Sequence, residues 1–306
     1  MRVVLTGATG TIGCAVANEL HTRGHSVVAL TRNAERAGAR LGAGVEVHVW
    51  AEPAQEPPPA GALERADGVI HLLGEPMSQR WTKEAKRRIV SSRVDATRQL
   101  AGALRALPDD TRPKALISQS ATGFYGPRNG IPLDEGAEPG DGWLAELVAD
   151  WEQAATAAAD DMRVVVTRTG VVFSPEGGAL ATMLPFFRLG VGGPVAGGRQ
   201  YVPWIHLDDV AGAIVECLEN DGARGAVNVT SPNPVTNTEL SRALGRALHR
   251  PALLPVPGLA LKALYGEMAE IVTTGQRATP ARLLGLGYRF RQPDLDPALS
   301  DVLARS

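Results

Sequence analysis

Cysteine is almost missing from this sequence: Cys14 and Cys217 are the only two among 306 residues. Two thiols without metal-type spacing support neither a disulfide framework nor a zinc site. The six histidines are scattered, with no carboxylate at ligand spacing, so no metal centre is expected. Net charge is only -2, which leaves no basic footprint for nucleic acid and no acidic tail. No apolar run approaches the roughly 20 residues that span a bilayer. Nothing ahead of the first apolar run has the make-up of a signal peptide. Together these absences predict a cytoplasmic protein whose partners include neither nucleic acid nor a membrane.

What is present begins at the N-terminus. Arg2 to Thr6 is a β-branched apolar run, as a strand buried on both faces requires. It enters Gly7-Ala8-Thr9-Gly10-Thr11-Ile12-Gly13, then a helical stretch from about Cys14 to Arg23 and a second apolar run from Ser26 to Leu30. A glycine at the strand end permits the sharp turn, a second lets backbone approach a pyrophosphate, and a third lets the helix pack on the sheet. The helix start adds free N–H groups and a positive dipole end. Strand, turn, helix and strand in that order form the context that gives a glycine triplet meaning as a dinucleotide fingerprint. Thr31-Arg32 ends the second strand, where an NAD site would carry Asp or Glu. Arg32, with Arg36 nearby, suits the 2′-phosphate of NADP(H) instead.

At 44% hydrophobic and 21% charged residues, the chain has the balance of a globular protein. Further strands are expected at Val45 to Trp50, Gly68 to Leu73, Lys114 to Ser118, Arg163 to Phe173 and Ala226 to Thr230. Helices are expected at Asn33 to Leu41, Trp81 to Leu104, Trp143 to Ala159, Asn237 to Leu248 and Gly258 to Glu270. Alternation to residue 173 and mixed texture afterwards predict an α/β fold with a doubly wound parallel sheet of Rossmann type and a smaller C-terminal substrate lobe. Residues 1–173, with 203–230 returning to them, would form the NADP(H)-binding domain; 174–202 and 231–306 would form the lobe. The strand ending at Gly74-Glu75-Pro76 opens toward the cofactor crevice, making Leu72, Leu73 and Glu75 candidate site groups. His206 reads as structural and Asp208 and Asp209 as helix caps. The glycine-rich segment 190–198 reads as a tight turn set or, preferred, a lid over the substrate.

By this point the motifs resemble one known group over nearly the whole chain. Asp67 to Pro76, Arg80-Trp81-Thr82, Ser92-Arg93, Ser120 to Gly126, Arg168 to Val172, Gly192-Gly193-Pro194, Trp204 to Asp209 and Pro232 to Asn237 are similar to successive blocks of the epimerase/dehydratase-type members of the short-chain dehydrogenase/reductase superfamily. Within it the chain resembles the subgroup called epimerase family proteins, some labelled cell-division inhibitors. These carry an additional C-terminal domain of unknown function, here at about 251–300. The resemblance implies NADP(H) bound by Gly7, Thr9, Gly10, Thr11, Ile12 and Gly13, by Thr31-Arg32, by Leu72, Leu73 and Gly74, and by Arg93, with Val172 on the nicotinamide side and Arg88 as an addition.

One departure from the resemblance bears on chemistry. Related enzymes use Tyr-x-x-x-Lys on the helix that starts here at Trp143, and those places fall at Leu144 and Val148. Ser120 (Ser118 if the register slips) stands where the catalytic Ser or Thr would be. Ser120 is therefore the expected carbonyl hydrogen-bond donor and Tyr125 the expected proton source, with Glu75 and Arg93 shaping the electrostatics. The expected function is an NADP(H)-dependent oxidoreductase, or an enzyme like a sugar-nucleotide epimerase, acting on a small carbonyl or alcohol. The alternative is a non-catalytic, NADP(H)-sensing regulatory protein. A homodimer is left open.

Overall fold

A computed structural model describes residues 1–42, 44–128 and 130–305. Seven parallel strands form the central sheet: β1 (Arg2–Thr6), β2 (Ser26–Thr31), β3 (Glu46–Val49), β4 (Gly68–His71), β5 (Ala115–Ala121), β6 (Arg163–Thr169) and β7 (Gly225–Val229). Their spatial order is β7-β6-β5-β4-β1-β2-β3, so strand order reverses between β1 and β4. This is the doubly wound Rossmann-like arrangement, and the reversal opens a crevice at the carboxyl ends of those two strands. Registers such as Val3↔Gly68 and Leu5↔Ile70 bury β1 and β4 at its centre.

Both faces are covered. On one, helices α1 (Thr11–Thr22) and Leu207–Glu219 pack Val16, Leu20, Val210 and Ile214 against Val3, Leu5 and Ile70. On the other, helices Ala96–Arg105 and Trp143–Thr156 bring Leu100, Leu104 and Ala155 onto Val4, Val28 and Leu116. A third cluster joins Leu240, Leu244, Leu299 and Val302 to Phe173 and Trp204, whose rings stack 5.4 Å apart. The helix Asn237–Ala247 beneath it opens with a capping box between Thr236 and Glu239.

Several elements differ from their sequence expectations; the helix expected over Gly258 to Glu270, for one, ends at Tyr265 and gives way to a 3-10 turn, Gly266–Ala269. The strand expected over Arg163 to Phe173 breaks at Gly170, where any Cβ would lie 1.9 Å from the Pro203 carbonyl oxygen. Beyond it Val171–Phe173 leaves the sheet and pairs with Trp204–His206. The helix expected over Trp81 to Leu104 contains a π-helical turn, Ser91–Asp95, between Lys83–Val90 and Ala96–Arg105. Such turns are rare and tend to aim side chains at functional sites. Segment 190–198 is a pinned turn set rather than a lid. A Cβ on Gly193 would lie 2.1 Å from Leu254 O, and the Ala196 N–H donates to Val256 O.

His206 is buried and acts structurally. Its Nδ1 accepts from the Asp208 N–H at 3.1 Å, capping the helix, and its Nε2 faces Asp301 Oδ2 at 3.0 Å. Arg305 bonds both Asp208 and Asp301, tying the C-terminal helix to that corner. No described helix is long and apolar enough to cross a membrane.

Candidate functional site

The glycine turn is built as its spacing requires. Gly7 has φ +66°, and a Cβ there would lie 2.6 Å from Leu72 O. Gly13 lets α1 settle on the turn, since its Cβ would lie 2.2 Å from Gly7 O. A Cβ on Gly10 would meet only Gly7 O, at 3.3 Å, and Gly10 lines a cavity of about 300 Å³. Gly10 is also the N-cap of α1 and offers no side-chain cap, so the first helical N–H groups are left for a ligand.

That cavity is also lined by Gly7, Thr9, Thr31, Arg32, Arg36, Leu72, Leu73 and Gly74, with no carboxylate among its described lining residues. Arg32 and Arg36 are exposed at its edge. Sequence reasoning missed Arg40, which donates to Thr9 O at 2.9 Å and braces the turn from α-helical residues 34–41. Thr11 and Gly13 do not line the cavity; they form the helix start beneath it.

A second cavity of about 340 Å³ shares Leu72, Leu73, Gly74 and Pro76 with the first, making one groove across the switch point. Ile12, Glu75, Arg93, Ser120, Leu144, Val148, Trp151 and Val172 line it. Arg93 comes from the π-helical turn. Its guanidinium stacks over Trp151 at 5.3 Å and lies 2.9 Å from where a Cβ of Gly74 would be. The Arg93 Nη1 is buried without a hydrogen-bond partner. Burial pushes the Arg93 pKa down to about 10, with Glu75 opposing the shift. It therefore stays cationic at neutral pH but poorly solvated, a group that an anion or oxyanion would satisfy.

A buried chain that no motif announced holds this corner. Thr97 gives its hydroxyl proton to Arg93 O and so must accept from His71 Nε2–H at 3.0 Å. That leaves His71 Nδ1 to accept from the Thr6 hydroxyl at 2.8 Å, while Thr6 Oγ1 accepts from the Leu72 N–H. Trp151 Nε1–H also donates to Thr97 Oγ1. Full burial pushes His71 down to about 3, so it is a neutral strut. A histidine in the apolar run of β4 was the available signal, because a buried imidazole needs partners on both nitrogens.

The expected catalytic groups separate. Ser120 lines the groove, but its hydroxyl donates to Glu152 Oε1 at 2.5 Å. Glu152 is gripped by Arg168 through Nε at 2.8 Å and Nη2 at 2.9 Å. Tyr125 is not available as a proton source. It is fully buried, donates to Asn228 Oδ1 at 2.7 Å and accepts from Arg168 Nη1 at 3.1 Å. The reason is the 3-10 turn Thr122–Tyr125, which swings the ring among Phe124, Leu133 and Ala278. Arg88 lines neither part of the groove; it lies at the rim, with Nε 3.5 Å from Glu75 Oε1 and a hydrogen bond to Gln79. Glu75 therefore stands between two arginines as a charge-balancing carboxylate. The pairing Ser120↔Arg168 on adjacent strands was the missed signal, since an arginine inside a sheet demands a buried carboxylate.

Comparison with known proteins agrees with this geometry. Residues 3–230 match the NAD dependent epimerase/dehydratase family, and residues 256–302 match a domain of unknown function, DUF1731. The Arabidopsis thaliana "Epimerase family protein SDR39U1 homolog, chloroplastic" is 38% identical over 307 residues, covering 99% of this chain and 87% of the relative. The crystal structure of human epimerase family protein SDR39U1 (isoform2) with NADPH is 34% identical, with a TM-score of 0.89 and full coverage of both chains. A nucleoside-diphosphate sugar epimerase from Corynebacterium glutamicum is 31% identical, with a TM-score of 0.78 over all of this chain and 59% of that one.

Proposed function

This chain belongs to the NAD dependent epimerase/dehydratase family, and from that premise we propose that it is an NADP(H)-dependent oxidoreductase acting on a small carbonyl or alcohol in the cytoplasm. The observation that carries the reading is the single groove itself. Two arginines and no carboxylate stand at one end, and an unpartnered buried guanidinium nitrogen stands at the other. The cofactor is NADP(H). Gly7, Thr9, Gly10 and the start of α1 would hold its pyrophosphate, and Arg32 and Arg36 its 2′-phosphate. Ile12, Leu72, Leu73 and Val172 would wall the nicotinamide.

When bound, NADPH supplies a hydride to the carbonyl carbon and leaves as NADP⁺, while the oxygen takes up a proton to become the alcohol hydroxyl. Leu144 and Val148, where the resemblance puts the tyrosine and lysine of related enzymes, offer the groove only hydrocarbon, and the Ser120 hydroxyl is engaged by Glu152. That leaves the free N–H of Arg93 to donate to the developing oxyanion, stabilising it before water delivers the proton. The Thr6–His71–Thr97 chain keeps Arg93 and Trp151 in position.

The test compares NADPH and NADH dissociation constants by fluorescence, then follows NADPH oxidation with a panel of aldehydes and ketones in wild type and Arg93→Gln. Expected are a preference for NADPH and a loss of turnover of at least about tenfold in the variant. The lack of an uncommitted acid favours a second reading, a cofactor-sensing protein. Tight NADPH binding with no hydride transfer to any member of the panel would make that reading the correct one.

A further inference from the structure

We infer that the substrate is an uncharged, mostly apolar carbonyl or alcohol compound and not a nucleoside-diphosphate sugar; the inference rests on the oxidoreductase reading above. A further cavity of about 290 Å³ adjoins the groove, sharing Met77, Ala121, Leu144, Thr169 and Gly170 with the part that holds Arg93. It is the space next to the reaction centre that the cofactor groove does not use. Its apolar wall includes Val171, Phe173, Met183, Leu240 and Ile271.

Charge argues against a diphosphate. Among the described residues lining this chamber there is no lysine, arginine or histidine, while Asp141 and Glu270 are both present. Glu270 Oε1 lies 3.9 Å from where a Cβ of Gly142, the residue after Asp141, would be. Two nearby arginines are committed elsewhere. Arg128 is spent on the carbonyls of Tyr125, Glu138 and Pro139, and Arg277 stacks on the Tyr201 ring at 5.1 Å without lining the chamber. Burying two phosphate charges in a chamber with lining carboxylates and no lining cation among its described residues is strongly unfavourable.

Hydrogen-bonding capacity argues against a hexose. Two of the lining amides already donate to the protein. Gln200 Nε2 donates to Val195 O and Val272 O, and Gln276 Nε2 donates to Gly126 O. A sugar ring packed against Val171, Phe173, Met183, Leu240 and Ile271 would leave the hydroxyls on that side unpaired, at a cost an alkyl body does not carry. An alkyl or aryl body fits instead, with its one oxygen reaching the Arg93 end.

The test titrates NADP⁺-loaded protein calorimetrically with straight-chain primary alcohols from propan-1-ol to octan-1-ol, and separately with UDP-glucose. NADPH affinity is measured alongside by fluorescence. Affinity should rise up to about fourfold per methylene until the chamber is full, with UDP-glucose binding more weakly than octan-1-ol. Met183→Glu should flatten the series with NADPH affinity unchanged. Ala179→Trp, on an exposed helix position at the chamber, serves if that variant does not fold and should cap the series at shorter chains. A flat wild-type series, or UDP-glucose binding tighter than octan-1-ol, overturns the inference while leaving the cofactor reading intact. Failure of NADPH to bind, with the alcohol series still rising, overturns the cofactor reading and leaves the apolar chamber standing.

Discussion

Ser120 and Glu152 are held 2.5 Å apart, hydroxyl to carboxylate, on the carboxyl side of the central sheet. The same carboxylate closes a two-pronged ion pair with Arg168. The serine hydroxyl is thereby committed to a buried charge, although the residue itself borders the groove. Ser120→Ala removes one hydrogen bond to an ionised group, so a stability loss of about 1.5–3 kcal/mol is expected. Glu152→Gln leaves Arg168 uncompensated and should cost about 3–5 kcal/mol. Urea denaturation measures both, and NADPH affinity of folded protein should hold in each. A Ser120→Ala protein of unchanged stability but turnover reduced a hundredfold would show that the hydroxyl works in the groove after all.

Tyr125→Phe is expected to behave as a core lesion. The phenol bonds Asn228 and Arg168 within a closed shell, and burial raises its pKa above the usual tyrosine value. Removing it should cost about 1–3 kcal/mol through unpaired buried partners, with turnover of the folded variant within about threefold of wild type. A tenfold loss of turnover at preserved stability would restore the tyrosine as a proton donor.

Two of the turn glycines should fail in different ways. Gly13→Ala forces backbone apart, because its Cβ would lie 2.2 Å from Gly7 O, and should destabilise the fold by about 2–4 kcal/mol. Gly10→Val should leave the melting temperature close to wild type and abolish NADPH binding, since the added carbons enter the phosphate cavity. Wild-type NADPH affinity in folded Gly10→Val protein would exclude that cavity as the pyrophosphate site.

Arg32→Ala should erase most of the discrimination between NADPH and NADH. A charge-assisted contact to the 2′-phosphate contributes about 1.5–3 kcal/mol, or about 10- to 100-fold in affinity. NADH affinity should stay within about twofold. Equal dissociation constants for both cofactors in the wild type would refute the assignment.

Acid should loosen the C-terminal segment first. Glu19 on α1 accepts from Arg291 at 2.9 and 2.6 Å and from Arg23 at 2.9 Å, which holds its carboxyl below the ordinary 4.5. A lowered folded-state pKa means that the stabilisation is complete above about pH 4.5 and is lost as pH falls through the folded value. Hydrogen exchange near residues 288–292 should therefore accelerate below pH 4.5 in wild type. Arg291→Ala should show raised exchange already at neutral pH and little further acid response.

Much of the site was legible because its signals are local. Gly7, Gly10 and Gly13 report backbone demands within one turn, and Arg32 follows from its place at the end of a strand. The alternation of apolar runs and helices predicts the parallel sheet, because buried strands and crossover helices each write their period into consecutive residues. The remainder depends on contacts distant in sequence. Gly170 breaks a continuous apolar run only because Pro203 passes against it, 33 positions later. Tyr125 turns inward because Asn228 and Arg168 wait there, and no spacing near residue 125 encodes either. The π-helical turn that delivers Arg93 sits inside an ordinary amphipathic pattern and shows only when Gly74 and Trp151 close on the guanidinium. Sequence alone determined the glycine turn after β1 and the arginine that follows β2, since backbone geometry and strand-end charge are short-range properties. Which polar side chains stay uncommitted in the groove was decided by the tertiary structure, because burying Arg168 required Glu152 and Tyr125 as partners, while Arg93 Nη1 is buried there without one.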